Sequence, residues 1–341
     1  MRTSDFFYDL PEAAIAQTPV EPRHSARLLD TRDMTDRLFS EVPRMLQAGD
    51  LIVVNRTRVR AARLRGTKVA TGGAVEVLLL SREADGTWDV LIRPSRRVRA
   101  GLRIEFPRGL EAVVTRAPNE GRGAIEFLEL SGRALDELIE EIGEVPLPPY
   151  IRTTLEDPGR YQTVFAEEAE SAAAPTAGLH FSASLLAELK QQGTGIAYVD
   201  LRVGLDTFRP ILVDEIEDHR IHSEHVTVPE ATCRAISATR RTGGRVVAVG
   251  TTVVRSLESA ADTDGRVHQY DGRTDLFIRP GYCFRAIDGL ITNFHVPGST
   301  LVVLMAAVLG ERWRRVYQSA LDRGYRFLSF GDAMYADVER A

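Results

Sequence analysis

Between about residue 62 and residue 150 the apolar positions come in runs too short for helices and spaced too evenly for a disordered linker. The runs are Val75 to Leu78, Trp88 to Ile92, Arg103 to Phe106, Ala112 to Val114 and Ala124 to Phe127, separated by glycines and charged turns. That rhythm is the pattern of a small antiparallel barrel. One helix closes the segment: Leu135, Leu138, Ile139 and Ile142 fall at i, i+3, i+4 and i+7 behind Ser131, and Gly143 ends it. Pro146-Leu147-Pro148-Pro149 then reads as a stiff linker.

The flanking sequence follows a different rule. Leu51 to Val54 is one clear strand, and after about residue 155 strands and helices alternate. Helices are expected over Ser182–Gln192, Glu230–Arg241, Ser299–Leu309 and Glu311–Asp322, and strands over Ala197–Val203, Val246–Val249, Leu290–Ile291 and Arg326–Phe330. Alternation of this kind argues for an α/β sheet or part-barrel. The unusual polar clusters sit just past the expected strands: Gly204 to Phe208, Gly250-Thr251-Thr252, Asn293-Phe294-His295 and Gly331-Asp332. Ligands bind at the carboxyl ends of strands in such folds, so the four clusters suggest one shared site.

Composition narrows the class. With 341 residues, two domains are the reasonable expectation, and 44% hydrophobic with 27% charged residues is globular. A net charge of −5 argues against a general nucleic-acid coat protein but leaves room for a local basic face. Cys233 and Cys283, far apart, make neither a disulfide framework nor a metal knuckle. Met1 to Leu10 lacks a basic region followed by an apolar run, and Leu301 to Leu309 is too short for a membrane span. A cytoplasmic protein is expected.

Candidate chemistry lies in a few blocks. In Ala174 to Phe181 a Pro-Thr-Ala-Gly turn exposes backbone N–H groups around Thr176 and Gly178 and places His180 near a helix start. A histidine there is either packed or a proton carrier near neutral pH. Gly250, Thr251 and Thr252 open a helix that carries Arg255 and Glu258, an arrangement suited to an anionic group or to a plain surface pair. Asn293 offers a paired donor and acceptor, His295 is a second titratable group or a buried structural one, and Ser299 or Thr300 caps the next helix. His219, His222 and His225 form a run whose spacing is not a metal framework, so no metal site is expected. Arg56, Arg58, Arg60, Arg63 and Arg65, and again Arg93, Arg96, Arg97 and Arg99, are phosphate contacts or solvated charge; on a strand Arg56, Arg58 and Arg60 would share a face. No phosphate-binding loop and no Gly-x-Gly-x-x-Gly occurs.

Taken in order, these blocks resemble one family. They are Tyr8 to Pro11, Glu21-Pro22-Arg23, Asp50 to Asn55, Arg93-Pro94-Ser95, Pro146 to Ile151, Ala174 to Phe181, Val249 to Glu258, Thr274 to Ile278, Ile291 to Leu301 and Tyr325 to Met334. The chain is similar to the S-adenosylmethionine:tRNA ribosyltransferase-isomerases from end to end. The resemblance implies an α/β part-barrel main domain, residues 1–61 and 152–341, with a small antiparallel β-barrel domain inserted at 62–151. It also implies a reaction. The ribosyl portion of S-adenosylmethionine passes to 7-aminomethyl-7-deazaguanine at the wobble position of tRNAs with GUN anticodons. Isomerisation gives epoxyqueuosine, and adenine and methionine leave. S-adenosylmethionine is consumed as a substrate, so no metal or redox cofactor is expected, and the partner is tRNA. The chain is expected to be a monomer.

On that basis His180, His295 and Asp332 are the expected catalytic residues. Thr176, Gly178, Gly204, Thr207, Gly250, Thr251, Thr252, Arg255, Asn293 and Thr300 are expected to hold the substrates, and Arg56, Arg58, Arg60, Arg93, Arg96 and Arg97 the tRNA. The chemistry needs a base for the carbon beside the sulfonium, an acid for departing adenine and donors for the ribose oxygens. This chain also departs from the family pattern. Where Leu-His-Val-Gly-Ala-Gly-Thr-Phe is common it has Leu201 to Phe208 with Arg202 and Asp206; Gly298 replaces a common Lys; Arg56 and His24 stand where acidic or small polar residues are usual. The same chemistry on another acceptor, or tRNA binding without turnover, are the competing readings.

Overall fold

The computed structural model describes residues 1–128, 132–167, 169–204, 210–221 and 223–340. The chain forms two compact units, Met1–Arg58 with Pro148–Ala341, and Val59–Leu147. In chain order the strands are β1 (Arg27–Asp30), β2 (Thr35–Leu38), β3 (Leu51–Asn55), β4 (Arg58–Val59), β5 (Arg63–Lys68), β6 (Ala74–Arg82), β7 (Trp88–Arg93), β8 (Arg103–Glu105), β9 (Glu111–Asn119) and β10 (Arg122–Phe127). They continue with β11 (Ala169–Ser171), β12 (Gly195–Leu201), β13 (Glu224–Val228), β14 (Val246–Val249), β15 (Tyr270–Thr274), β16 (Gly289–Asn293) and β17 (Ala333–Asp337). The helices are α1 (Val42–Met45), α2 (Arg133–Ile142), α3 (Ala183–Gln191), α4 (Glu230–Arg241), α5 (Thr251–Ala260), α6 (Thr300–Leu309) and α7 (Trp313–Asp322).

The smaller unit is a closed barrel in the order β10-β7-β6-β5-β8-β9, every pairing antiparallel. Alternate residues fill it: Val75, Val77 and Leu79 of β6 are buried, as are Trp88, Val90 and Ile92 of β7. The Trp88 and Phe127 rings meet edge to face, with centroids 6.4 Å apart. β5 is absent from the expected strands. Its Arg-Leu-Arg-Gly-Thr-Lys sequence carries one inward apolar residue, Leu64, so it has no periodic signal. Gly66 completes it, since a Cβ there would lie 2.6 Å from the Glu105 carbonyl oxygen. Helix α2 begins behind Gly132, and Ser131 lies outside the described residues. Gly143 stops α2 for a reason other than a left-handed cap: its φ is −80°, and a Cβ would come 2.0 Å from the Ala61 carbonyl oxygen.

The larger unit is a nine-stranded mixed sheet, β15-β13-β12-β3-β14-β16-β17-β1-β2, with β12, β3, β14 and β16 parallel at its centre. β3, β14 and β16 read as unbroken apolar runs because both faces are covered, whereas β12 alternates in burial. Leu51 and Val53 enter one core with α4 to α7, while Ile52 and Val54 enter a second with Phe39, Phe181 and Leu185. Ser182 caps α3 by accepting from Leu185 N at 3.2 Å, and Gly193 leaves that helix with φ +90°. The architecture is therefore the expected α/β unit with an inserted antiparallel barrel.

Two expectations fail. Arg326–Phe330 is not a strand: Leu328 turns with φ +69°, the Asp332 carboxylate accepts from Arg326 N at 2.8 Å, and Phe327 makes only a single bridge, to Ile15. Its aromatic content serves the core instead, with Phe327 stacked on Phe294 at 4.6 Å. The terminal strand is β17, which begins after Asp332. The helix expected from Glu311 starts at Trp313, after a 3-10 turn opened by Gly310 at φ +59°. No helix among the described residues is long and apolar enough to cross a membrane.

Candidate active site

The parallel strands β3, β12, β14 and β16 deliver their carboxyl ends to one edge, and β17, antiparallel to β16, starts there. Gly331-Asp332 thus reaches the same edge as the other clusters by preceding a strand instead of following one. Backbone-directed side chains tie this edge together. Asn55 Nδ2 donates to the Leu201 carbonyl at 3.0 Å, and Thr57 Oγ1 donates to Asn55 Oδ1 at 3.0 Å, joining β3 to β12. Gly250 N donates to the Ile291 carbonyl at 2.8 Å, joining β14 to β16. Gly250 takes φ +90°, which lets the chain leave β14 and enter α5 at once.

Thr176 Oγ1 donates to Asn293 Oδ1 at 2.9 Å, and Asn293 Nδ2 donates to the Leu328 carbonyl at 3.2 Å. The Pro-Thr-Ala-Gly turn, the end of β16 and the 325–332 loop therefore meet at one amide. A small cavity of about 30 Å³ opens beside it, lined by Tyr150, Thr176, Asn293, His295, Ser299 and Ser329 among others. Tyr150 and Ser329 hydroxyls are 2.7 Å apart. A larger cavity of about 210 Å³ has mostly apolar walls with Arg255, Glu224, His219 and Thr300 among them, and Leu301 belongs to both.

The two histidines differ. Both His180 ring nitrogens face carbonyl oxygens, Ala177 at 3.1 Å and Gly331 at 2.9 Å, and the ring stacks on Phe39 at 4.9 Å. Burial pushes its pKa down, against the pull of those two carbonyls and Asp332. His180 lines neither cavity; it latches the Thr176–His180 turn to the Gly331 loop. His295 does line the smaller cavity. Its Nε2 is 3.1 Å from Thr292 Oγ1 and its Nδ1 is 3.1 Å from the Tyr317 hydroxyl. Burial lowers its pKa to about 3, so the ring is neutral across the physiological range.

Asp332 is buried and accepts from the backbone N–H groups of Arg27, at 3.0 Å, and Arg326, at 2.8 Å. Gly178 is packed so that a Cβ would meet Phe165 at 2.8 Å. Gly204 N donates to Glu224 Oε1 at 3.1 Å. Thr251 is buried in the first turn of α5, and the Thr252 hydroxyl is buried with no partner among the described residues. Thr207, Asp206 and His222 lie outside the described residues. His219 sits edge-on to Phe277 at 5.6 Å, and His225 pairs with Asp271 at 3.1 Å. The chain around Gly298 explains one departure: φ is +67° and a Cβ would lie 2.4 Å from the Phe7 ring, so a longer residue needs both to change. Arg202 is exposed and lines neither cavity.

The arginines separate as well. Arg56 lies beyond the end of β3 and Arg58 in β4, so Arg56, Arg58 and Arg60 do not share one strand face. Arg56 spans Asp200, at 3.0 and 3.1 Å, and Glu167, at 2.8 Å. Arg60 lies 5.0 Å above the Trp88 ring. Arg93, Arg96 and Arg97 are exposed on the barrel unit. Sequence reasoning passed over Tyr150, Ser329 and Glu224; the last was legible only as an acid amid histidines, with no signal that Arg255 would need it.

Polar groups from several strand ends around two adjoining cavities make this an α/β protein whose candidate ligand site is the carboxyl edge of its sheet. The chain belongs to the family of queuosine biosynthesis proteins, whose pattern it matches over residues 3–336. It is 51% identical over 340 residues to the S-adenosylmethionine:tRNA ribosyltransferase-isomerase of Moorella thermoacetica, covering 98% of this chain and 99% of the relative. The protein of the same name from Symbiobacterium thermophilum is 48% identical, again over 98% and 99% of the two chains. Among solved structures, the S-adenosylmethionine tRNA ribosyltransferase of Thermotoga maritima is 36% identical and superposes with a TM-score of 0.55, over 97% of this chain and 99% of that one.

Proposed function

We propose that this protein is an S-adenosylmethionine:tRNA ribosyltransferase-isomerase. It moves the ribosyl portion of S-adenosylmethionine onto 7-aminomethyl-7-deazaguanine at the wobble position of tRNAs with GUN anticodons, as a cytoplasmic monomer. Epoxyqueuosine forms, and adenine and methionine leave. S-adenosylmethionine is substrate and no further cofactor takes part. The observation that carries this reading is the Thr176–Asn293 hydrogen bond, which joins two family blocks at the wall of a small cavity at the sheet edge.

His295 is the proton carrier in this reading, because of the two candidates, His180 and His295, it is the one that lines a cavity. Its depressed pKa makes the neutral ring a weak base and the imidazolium a strong acid, which suits it to relaying a proton to departing adenine better than to taking one from the carbon beside the sulfonium. Thr176, Asn293 and Thr252, whose hydroxyl has no partner among the described residues, position ribose and base. His180 and Asp332 act one step back, holding the Thr176 turn and the 326–332 loop in place. Exposed Arg93, Arg96 and Arg97 contact tRNA phosphates.

The test is product analysis with purified protein, S-adenosylmethionine and tRNA carrying the aminomethyl base. Adenine, methionine and epoxyqueuosine together are expected. Adenine without the modified nucleoside would mean another acceptor, and no adenine would leave a binding role only.

A further inference from the structure

The larger cavity contains a charge arrangement that the reaction as described does not use. Arg255, on α5, is only 7% exposed. Its Nε donates to the Leu276 carbonyl at 3.1 Å and its Nη1 donates to Glu224 Oε2. Its Nη2 is buried and has no partner among the described residues. A guanidinium N–H left bare in such a place is costly, and a ligand acceptor removes the cost. Arg255 and Glu224 both line the cavity, and Leu276, Ile278, Leu301 and Leu304 supply apolar wall beside them.

We propose that this cavity binds the amino-acid end of S-adenosylmethionine, its carboxylate on Arg255 Nη2, its ammonium on the Glu224 side and its methylene chain along Leu301 and Leu304. The inference rests on the proposed function and adds to it the site of one substrate part. Charge selects the ligand class. The Arg255–Glu224 pair is neutral overall, so a zwitterion finds both its partners there, whereas a phosphate would meet the Glu224 carboxylate. Size agrees: about 210 Å³ is below the range of pockets that hold whole drug-sized ligands and suits a single amino-acid moiety. Leu301, shared by both cavities, leads from this end toward Thr176 and Asn293.

The experiment compares S-adenosylmethionine with its decarboxylated analogue, S-adenosyl-3-methylthiopropylamine, as donors in the adenine-release assay, and measures L-methionine binding by calorimetry. For the wild type, loss of the carboxylate should cut kcat/KM on the order of 10- to 100-fold, the worth of one charge-assisted hydrogen bond. The paired variant Arg255→Gln with Glu224→Gln, which removes both charges of the pair together, should bring the two donors to nearly equal kcat/KM. Leu212→Asp is the second variant; Leu212 is 90% exposed, so the fold is not at risk, and the new charge on the cavity wall should raise KM several-fold for S-adenosylmethionine but not for the analogue. Equal use of both donors by the wild type, or unchanged discrimination in Leu212→Asp, overturns the proposal. If the wild type releases no adenine from either donor, the proposed function fails, and methionine binding decides the cavity alone: binding weakened by Leu212→Asp supports the site, and no binding, or binding indifferent to that change, removes it.

Discussion

The barrel and the sheet unit treat polar side chains in opposite ways. Among the described residues of the barrel unit, the buried polar or charged side chains are Lys68 and Asp89. Arg65 with Glu144 and Arg103 with Glu111 pair at the surface, and the exposed Arg116 and Arg122 reach in to neutralise the buried Asp89. The sheet unit buries Asp30, Asp50, His180, Glu224, Arg255, Glu258, Asn293, His295 and Asp332. Desolvation of such groups is expensive unless each is partnered. That expense is tolerated where strand ends must be locked and reacting groups held. The barrel has no such task inside, so it closes on hydrocarbon and presents exposed arginines outside.

The contrast can be broken by trading stability against turnover. Trp88→Ala, in the barrel interior, should cost about 3–5 kcal/mol, read from denaturant midpoints, while adenine release per folded molecule stays near wild type. A large loss of turnover in the folded fraction would show that the barrel core shapes the site. Asn293→Ala should do the reverse. Its stability cost is about 1–3 kcal/mol, but adenine release should fall on the order of 100-fold because three elements lose their common anchor; turnover within a factor of two of wild type would remove Asn293 from the site.

The buried histidines give a pH test. His295 has a folded-state pKa of about 3, lowered by burial, and His180 is lowered for the same reason. Below about pH 6.5 the unfolded chain binds protons that the folded chain refuses. Stability should therefore drop as pH falls below about 6.5, by up to about 1.4 kcal/mol per pH unit for each histidine, the share of His295 continuing toward pH 3. Urea midpoints at successive pH values, with His295→Gln losing one histidine's share of the slope, measure it; an unchanged slope in that variant would mean His295 is not held neutral. The smallest effect is expected at the barrel surface. Replacing Arg93, Arg96 and Arg97 with Ala should weaken tRNA binding by several-fold and reduce its salt slope by about 0.7–0.9 for each phosphate no longer neutralised. An unchanged slope would place the tRNA on another face of the protein.

Most barrel strands were legible because a closed barrel imposes inside–outside alternation on every one, as in Val75, Val77 and Leu79. β5 escaped because its barrel-facing content is Leu64 and little else. The parallel strands β3, β14 and β16 were legible as continuous apolar runs, whereas Arg326–Phe330 imitated one while its aromatics filled a core as loop residues. Thr176, Asn293 and Arg255 stood out in their blocks. Their partners did not, because the pairings span the chain: Tyr150 meets Ser329 across 179 residues and Arg255 meets Glu224 across 31.

Local pattern sufficed for what depends on one face of one element at a time: two kinds of fold in one chain, the positions of most strands and helices, and the blocks that mark the family. Burial of the two histidines is of another kind. His180 and His295 both stand beside a Phe in sequence and both are buried, yet the first is occupied by two carbonyls and the second borders a cavity. That distinction, like the Nη2 of Arg255 left without a partner among the described residues, comes from where distant segments place their hydrogen-bonding groups, and neighbouring residues in the chain carry no record of it.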